Sequence, residues 1–355
     1  MTRPQIPSLV ERLYPSTRYA GRGVCIAFID AGFFPHTDLR LPRGRIRAYV
    51  DVTREEPVPR ELLERKAGSW HGTMTSCCAA GNGYLSGGRY RGLASESDVV
   101  LIKAKEDDED VRGEHLVSAL GVPIRHAGLG VRVASVSLGV NPDDPRAAEV
   151  DRAVDAAVKQ GIVVVVAAGN VPERAPAPPA SAKGAITVGG WDDGGTLQGG
   201  DDKPWPSSHG AGKPDLLAPS AWVPAPMVPG TLEAREAHAL YDLLGVLEEM
   251  SLEPSRMTAI AESAADLLER VTARIALQKY IARDYQHVDG TSFAAPIVAS
   301  VVAQMLEANP ALGPADVRKG LLQTARKLDG VPDEIQGAGL VQPAAAVEWA
   351  ERSAR

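Results

Sequence analysis

The sequence is poor in the residues that mark several classes of protein. Only 5% of its 355 residues are aromatic, and its three cysteines are an odd number that argues against a disulfide framework. The formal net charge is −7, and no long basic cluster or basic-aromatic alternation offsets it. No apolar run approaches the roughly 20 residues that span a membrane. The chain is therefore expected to bind neither nucleic acid nor a membrane.

The beginning of the chain lacks the apolar core of a secretory signal peptide. The cysteines also indicate a protein that is not secreted. Cys77 and Cys78 are adjacent in a stretch that favours a buried helix, and Cys25 lies within an apolar run of strand length. Unpaired cysteines are typical of proteins from reducing compartments. These features predict a cytoplasmic location.

Apolar runs of strand length alternate with stretches of helical periodicity along the chain. This alternation predicts an α/β fold, with a doubly wound and mostly parallel sheet flanked by helices. With 44% hydrophobic residues the chain can bury one large core, so residues 1–355 are interpreted as a single domain. The predicted strands cover residues 24–29, 98–104, 131–137, 161–167 and 185–189. The predicted helices cover residues 71–81, 114–127, 147–160, 292–307, 314–325 and 342–352.

A serine stands where a flexible turn meets an apolar helix, in the sequence Gly290-Thr291-Ser292-Phe293. The first N–H groups of a helix have no intrahelical acceptor, and the helix dipole favours negative charge there. This position suits a nucleophile, because the oxyanion of an attacked carbonyl would form beside these N–H groups. The alternative is that Ser292 is an ordinary N-cap before a buried helix.

A serine nucleophile needs a base and a group that orients the base, and both are available upstream. Asp30 ends an apolar run, and ligands bind at the carboxyl ends of strands in α/β sheets. His71 begins a stretch of small residues, and imidazole has the unperturbed pKa best suited to general base catalysis near pH 7. Taken singly, a turn-forming aspartate and a core histidine fit these segments as well.

Asn170 follows another apolar run, residues 161–168. Its side-chain amide at the end of a strand can donate a hydrogen bond to the same oxyanion. Gly169-Asn170 is also an ordinary turn sequence, so this segment alone leaves both interpretations open.

The chain resembles the subtilases, the subtilisin-like serine proteases of peptidase family S8. The resemblance rests on the order Asp30, His71, Asn170, Ser292 and on the residues that surround each of them. The resemblance extends from about residue 20 to about residue 350. It implies that Ser292 attacks the peptide carbonyl, His71 transfers the proton and Asp30 holds the imidazolium. Asn170 and the Ser292 amide would bind the oxyanion. The implied substrates are proteins or peptides, and catalysis would need no cofactor.

The resemblance also implies where a substrate lies. Ser137-Leu138-Gly139 is similar to the edge segment that pairs with an extended substrate in this family. Ala168 and Gly169 would line the first side-chain pocket, and their small size predicts an uncharged residue before the scissile bond. The acidic run 106–110 follows the strand expected to carry the other wall. It is either a solvated loop or a surface that attracts basic substrates at more distant subsites, an attraction that salt would screen.

Some positions depart from the family pattern. Ala31 replaces the hydroxyl residue usual after the catalytic aspartate, so one hydrogen bond that orients Asp30 is expected to be missing. Calcium is common in subtilases, and Asp38 matches one frequent ligand position. The loop 82–88 is altered where other ligands would lie. No metal ligand is therefore assigned, and a structural calcium ion is left open.

The segment 229–286 departs most, because it makes the interval before Ser292 longer than in related enzymes. Its apolar residues recur at three- and four-residue steps and are interrupted near Pro254, which predicts an inserted helical hairpin beside the active site. This hairpin is either a packing embellishment or, over residues 231–284, a docking element. A docking element would bind a second subunit of a homo-oligomer or a regulatory partner.

Two functions remain open at this point. The first is an intracellular serine endopeptidase without a visible prodomain, which acts through an acyl-enzyme and is regulated by a partner or by the helical insertion. The second is a latent or non-catalytic member that uses the fold as an interaction module. The intact set Asp30, His71, Asn170 and Ser292 favours the first.

Overall fold

An eight-stranded sheet lies at the centre of the computed structural model, which describes residues 6–54, 68–107, 109–171, 175–197, 200, 202–205, 213–251 and 258–353. The strands are β1 (Cys25–Asp30), β2 (Ile46–Asp51), β3 (Asp98–Lys103), β4 (Val131–Val136), β5 (Val163–Ala167), β6 (Ile186–Asp192), β7 (Lys203–Pro204) and β8 (Leu216–Pro219). They lie in the order β2-β3-β1-β4-β5-β6-β7, and β8 pairs with β6. Every pairing is parallel except that of β7 with β6. The mostly parallel sheet predicted from the sequence is confirmed.

Helices cover both faces of this sheet, and each predicted helix is present within two residues of its predicted ends. The helices are α1 (Leu9–Leu13), α2 (Thr37–Arg40), α3 (Trp70–Ala80), α4 (Gly113–Arg125), α5 (Ala147–Lys159), α6 (Leu232–Ser251), α7 (Thr258–Leu277), α8 (Thr291–Ala308), α9 (Pro314–Thr324), α10 (Asp333–Gln336) and α11 (Pro343–Arg352). Helices α3, α8, α9 and α11 share one hydrophobic core, and α4 and α5 form the other.

Alternate residues of the central strands supply these two cores. In β1, Ile26 and Phe28 belong to the core of α3 and α8, whereas Ala27 and Ile29 belong to that of α4 and α5. All four side chains are at most 1% exposed. Burying a large apolar side chain of this kind contributes about 2 kcal/mol. A strand that is apolar on both faces is stable only between two helical layers, which explains the doubly wound arrangement.

The direction of winding changes between β1 and β4. From β1 the chain builds β2 and β3 on one side, and it then crosses to build β4, β5 and β6 on the other. The loops that leave two parallel strands at such a point diverge and form a crevice at the carboxyl ends of the strands. Asp30 ends β1 and Ser137 directly follows β4, so both residues lie at this crevice.

Helix α8 runs through the interior of the protein. Its 18 residues are long and apolar enough to cross a membrane, which differs from the expectation of no such segment, but 83% of them are buried within the protein. The helix packs against α3 and α11 and against the strands β4, β5 and β6. It is therefore the central core helix of the fold. Gly290 precedes it with φ of 133°, a conformation that glycine adopts more readily than any other residue.

A second, three-stranded sheet forms where the inserted segment joins the body of the protein. Its strands are β9 (Val223–Pro226), β10 (Tyr280–Ala282) and β11 (Tyr285–Val288), in the antiparallel order β10-β11-β9. Helices α6 and α7 form the helical hairpin expected within 229–286. The last residues of that range, however, belong to β10 and β11. Pairing of β11 with β9, which is distant in sequence, satisfies the backbone of this stretch and overrides its local helical pattern.

The buried faces of α6 and α7 extend the core of α3 and α8. Their buried residues are Ala234, Ala237, Leu244, Leu247, Val271 and Ile275. On the polar side, Arg274 forms an ion pair with Glu236 at 2.6 Å, and the hydroxyl of Tyr280 donates to the same carboxylate at 2.8 Å. The hairpin is thus anchored to the body by apolar packing and by a polar contact with β10.

Candidate active site

Asp30 and His71 form a hydrogen-bonded pair at the crevice. Nδ1 of His71 lies 2.6 Å from Oδ1 of Asp30. The Asp30 side chain is 1% exposed and that of His71 is 20% exposed. Because an ionised carboxylate only accepts hydrogen bonds, Nδ1 of His71 carries the proton and Nε2 is left free to act as a base.

Gly72 allows this pair to form, because it brings the start of α3 against the loop that follows β1. A Cβ atom at Gly72 would lie 2.3 Å from the carbonyl oxygen of Gly32 and 2.9 Å from Cβ of Asp30. Any larger residue would push the helix away from the strand end. The sequence His71-Gly72 therefore combines the base with the small residue that its position requires.

The pKa of His71 is raised above its ordinary value by its surroundings. Burial acts to lower this pKa, because it disfavours the charged imidazolium, but the negative charge of Asp30 and its hydrogen bond outweigh burial. Asp30 therefore stabilises the protonated form of His71. A base that gains a proton during a reaction is assisted by this arrangement.

Thr75 supplies a contact to Asp30 that sequence reasoning did not identify. Its hydroxyl donates to Oδ2 of Asp30 at 2.8 Å, and the N–H of Ala31 donates to Oδ1 at 2.7 Å. Thr75 is four residues after His71, so both side chains lie on the same face of α3. This helical spacing was the signal that could have revealed it. The hydroxyl of Thr75 takes the place of the hydrogen bond expected to be missing at Ala31.

Ser292 is the second residue of α8 and lies at the same crevice. Its backbone carbonyl accepts a hydrogen bond from Oγ of Ser137 at 2.8 Å, which ties the start of α8 to the end of β4. The ring of the next residue, Phe293, packs 5.7 Å from the His71 ring between centroids. These contacts bring the first turn of α8 beside the Asp30–His71 pair.

Asn170 also reaches the start of α8, through contacts with Thr291. Its Oδ1 accepts hydrogen bonds from the backbone N–H of Thr291 at 3.1 Å and from its hydroxyl at 2.9 Å. A backbone N–H can only donate, so the oxygen of the amide must face Thr291. The donor Nδ2 consequently faces away from Thr291. The amide is thus oriented for donation, and Thr291, which is fully buried, is a second residue that sequence reasoning missed.

The remaining predicted substrate residues line one cleft with a volume of about 460 Å³. The predicted residues on its wall are Ser137, Leu138, Gly139, Ala168, Gly169, Asn170 and Ser292. Lys105 and Asp110 also line this cleft. The cleft is large enough for several residues of an extended peptide, and it places Ser292 and Asn170 on its surface.

Asp38, the residue at a frequent calcium-ligand position, uses its carboxylate within the protein. Its Oδ2 accepts from the hydroxyl of Tyr285 at 2.7 Å, and both side chains are buried. Within the part of the chain that the structure describes, no three histidine, cysteine, aspartate or glutamate side chains gather as metal ligands would. The carboxylate of Asp38 instead links the body of the protein to β11.

The chain is similar to subtilisin-like proteases over most of its length. The model of the subtilase family matches residues 21–339. The chain is 28% identical over 336 residues to the serine protease AprX of Bacillus subtilis, a match that covers 90% of this chain and 65% of AprX. It is 25% identical over 328 residues to subtilisin BL of Lederbergia lenta, covering 92% of this chain and 91% of that protein.

Two solved structures share the fold. Fervidolysin from Fervidobacterium pennivorans, a keratinolytic enzyme related to subtilisin, superposes with a TM-score of 0.65 at 22% identity, covering 93% of this chain and 43% of that chain. A protease structure from Pseudoalteromonas arctica also gives a TM-score of 0.65, at 18% identity, covering 98% of this chain and all of that chain. The chain thus spans only part of AprX and fervidolysin. With the family model matching most of its length, the chain belongs to the subtilase family.

Proposed function

We propose that this protein is a serine endopeptidase that cleaves peptide bonds with Asp30, His71 and Ser292. One observation carries the proposal. The 2.6 Å Asp30–His71 pair stands beside the first turn of α8, where Ser292 lies on the surface of a peptide-sized cleft. Membership of the subtilase family supports the same assignment.

In this mechanism Nε2 of His71 takes the proton of the Ser292 hydroxyl as its oxygen attacks the carbonyl carbon. Asp30 stabilises the imidazolium that forms, and Thr75 holds the second oxygen of Asp30. The oxyanion accepts hydrogen bonds from Nδ2 of Asn170 and from the N–H of Ser292 at the positive end of α8. His71 then gives the proton to the leaving amine, and an acyl-enzyme remains. Water activated by the same imidazole releases the product.

Labelling with a fluorophosphonate probe tests this proposal. The unmodified protein is expected to react at Ser292, and Ser292→Ala is expected to lose labelling and casein cleavage. Ser181→Ala is a matched control, because Ser181 is exposed and hydrogen-bonds Asp151 away from the cleft. A folded protein that neither reacts with the probe nor cleaves casein would contradict the assignment.

A second candidate function, interaction through the helical hairpin, is favoured by exposed apolar side chains. Val246 is 54% exposed and Met250 is 47% exposed, and their four-residue spacing makes them neighbours on the surface of α6. Exposed apolar stripes of this kind are typical of docking surfaces. We propose that the hairpin binds a partner or a second copy of the chain and thereby regulates access to the cleft.

Substitution of this stripe tests the second candidate. Val246→Asp with Met250→Lys is expected to change the oligomeric mass measured by light scattering, or to change casein cleavage, while probe labelling of Ser292 persists. Leu232→Asp is a control, because Leu232 is 74% exposed but lies at the opposite end of α6. Unchanged mass and unchanged cleavage in the double variant would show that the hairpin packs on the body of the protein without binding a partner.

A further inference from the structure

Lys105 is a charged residue in the cleft that the proposed mechanism does not use. It lies two residues after β3 and lines the same cleft as Ser137 and Ser292. Its side chain is partly buried. After burial and the contacts with Asp30, the charge of Lys105 is the next influence on the pKa of His71, in the lowering direction. Lys105 therefore stands close to the reacting groups.

The acidic residues beside Lys105 have other partners. Asp107 accepts a hydrogen bond from Lys103 at 2.8 Å, and Glu106 forms an ion pair with Arg112 at 3.3 Å. Among the ion pairs formed between described residues, none includes Lys105. Asp107 and Glu106 are thus paired with other cations, and among the described residues the ammonium group of Lys105 is left open to a ligand in the cleft.

Asp110 is the acidic group that also lines this cleft. It is exposed, so solvent and salt screen its charge more strongly than that of the partly buried Lys105. No ion pair links the two side chains. Of these two cleft-lining charges, that of Lys105 is therefore the less screened.

The order of the strands places Lys105 and Ala168 on opposite sides of a bound peptide. In the order β3-β1-β4-β5, Lys105 follows β3, the segment 137–139 follows β4 and Ala168 follows β5. An extended peptide beside 137–139 presents successive side chains in opposite directions. When one side chain enters the pocket of small residues beside Ala168, the side chain before it points toward Lys105.

We propose that Lys105 selects substrates with an acidic side chain at the second residue before the scissile bond. The residue next to the scissile bond is uncharged and fills the pocket beside Ala168 and Gly169. A carboxylate at the preceding position pairs with the ammonium group of Lys105, and a basic side chain there is repelled. This specificity rests on the proposed function, since it requires a peptide in the cleft.

Peptide binding to the Ser292→Ala variant tests this proposal without requiring turnover. Three fluorescein-labelled peptides differ only at the second residue before the intended cleavage site, which is Glu, Gln or Lys. Fluorescence polarisation is expected to show the Glu peptide binding about fivefold more tightly than the Gln peptide, and the Lys peptide binding most weakly. The preference is expected to shrink as salt is raised, because screening weakens a charge pair.

Charge reversal supplies the decisive variant. Lys105→Glu in the Ser292→Ala background is expected to reverse the order, so that the Lys peptide binds most tightly, and Lys105→Gln is expected to remove it. Lys159→Glu is a matched control with the same change in charge, because Lys159 is exposed at the end of α5, before β5 begins. It is expected to keep the original preference.

The outcomes separate the specificity from the proposed function. Equal binding of the three peptides, unchanged by Lys105→Glu, would overturn the role of Lys105 and leave the peptidase assignment standing. Failure of all three peptides to bind would overturn both. With the active enzyme, a higher kcat/KM for the Glu peptide that Lys105→Glu reverses would support the role of Lys105.

Discussion

The hydroxyl of Thr75 donates to Oδ2 of Asp30 over 2.8 Å, and this contact replaces a hydrogen bond that Ala31 lacks the side chain to make. Thr75→Val keeps the shape of the side chain but removes the donor. A hydrogen bond to a buried charged group contributes about 1.5 kcal/mol, so kcat is expected to fall about tenfold. Steady-state cleavage of a fluorogenic peptide measures the change.

Thr75→Ser is the matched control, because it retains the hydroxyl and is expected to retain most of the activity. A second comparison is the pair Thr75→Val with Ala31→Ser, in which a hydroxyl returns on the strand side of Asp30. Partial recovery of kcat is expected there. Full activity of Thr75→Val alone would show that Asp30 needs no hydroxyl partner.

The pKa of His71 predicts how activity depends on pH. General base catalysis needs neutral His71, and the surroundings of this residue raise its pKa above the ordinary 6.5. The kcat/KM is therefore expected to rise with pH through a value above 6.5. Asp30→Asn removes the charge that raises the pKa, so the rise should move to lower pH. The kcat is expected to fall about ten-thousand-fold in that variant.

A pH profile of peptide cleavage measures both effects. The double variant Asp30→Asn with Ser292→Ala sets the background rate against which the weak activity of Asp30→Asn is read. An ascending limb that stays at the same pH in Asp30→Asn would contradict the assignment of His71 as the base that Asp30 controls.

Substitution of Gly72 is expected to lower activity, because it would displace His71. Gly72→Ala places a Cβ atom 2.3 Å from the carbonyl oxygen of Gly32, so α3 must shift and carry His71 away from Asp30. A displacement near 1 Å at a catalytic group costs about a hundredfold in rate. Peptide cleavage by the folded variant measures this loss. Gly128→Ala, where a Cβ atom meets open space, is expected to remain fully active.

Substitution of Arg12 is expected to lower the free energy of unfolding by a large amount. Its guanidinium donates to both carboxylate oxygens of Asp193 at 2.7 Å and to the carbonyl of Trp222 at 2.6 Å, and its side chain is 1% exposed. Arg12→Met leaves Asp193 charged and buried without this partner. Breaking a buried pair in this way costs about 3–5 kcal/mol in free energy of unfolding. Urea denaturation followed by fluorescence measures the change.

The exposed pair between Arg18 and Glu351 provides the comparison. The Arg18 side chain is 62% exposed, so Arg18→Met is expected to cost less than about 1 kcal/mol. The double variant Arg12→Met with Asp193→Asn should recover part of the lost stability, because no buried charge is then left unpaired. Equal destabilisation by Arg12→Met and Arg18→Met would refute the role of the buried pair.

The local motifs predicted much of the fold and of the candidate site. Most of the longer strands and helices carry their own apolar pattern, so a parallel sheet with helices on both faces could be predicted from the sequence. Strand β2, at the edge of the sheet, was not among the predicted strands. Asp30, His71, Asn170 and Ser292 each follow or begin such an element. The structure places them at one sheet edge because the carboxyl ends of neighbouring parallel strands meet there.

Contacts between distant segments needed the tertiary structure. Arg12 and Asp193 are 181 residues apart, and nothing in the local sequence of either predicts the other. The strand pairing of β11 with β9 likewise replaces helix at the end of the predicted insertion. The orientation of Asn170 by Thr291 and the position of Lys105 in the cleft depend on contacts between segments that are far apart in the chain.

The sequence by itself therefore determined the alternation of strands and helices and the order of the proposed catalytic residues, because both depend on short stretches of adjacent residues. Only the tertiary structure decided which groups support Asp30, how the insertion joins the body and which side chains line the cleft. Those features depend on distances between residues far apart in the chain, and such distances arise only when the two cores have packed around the sheet.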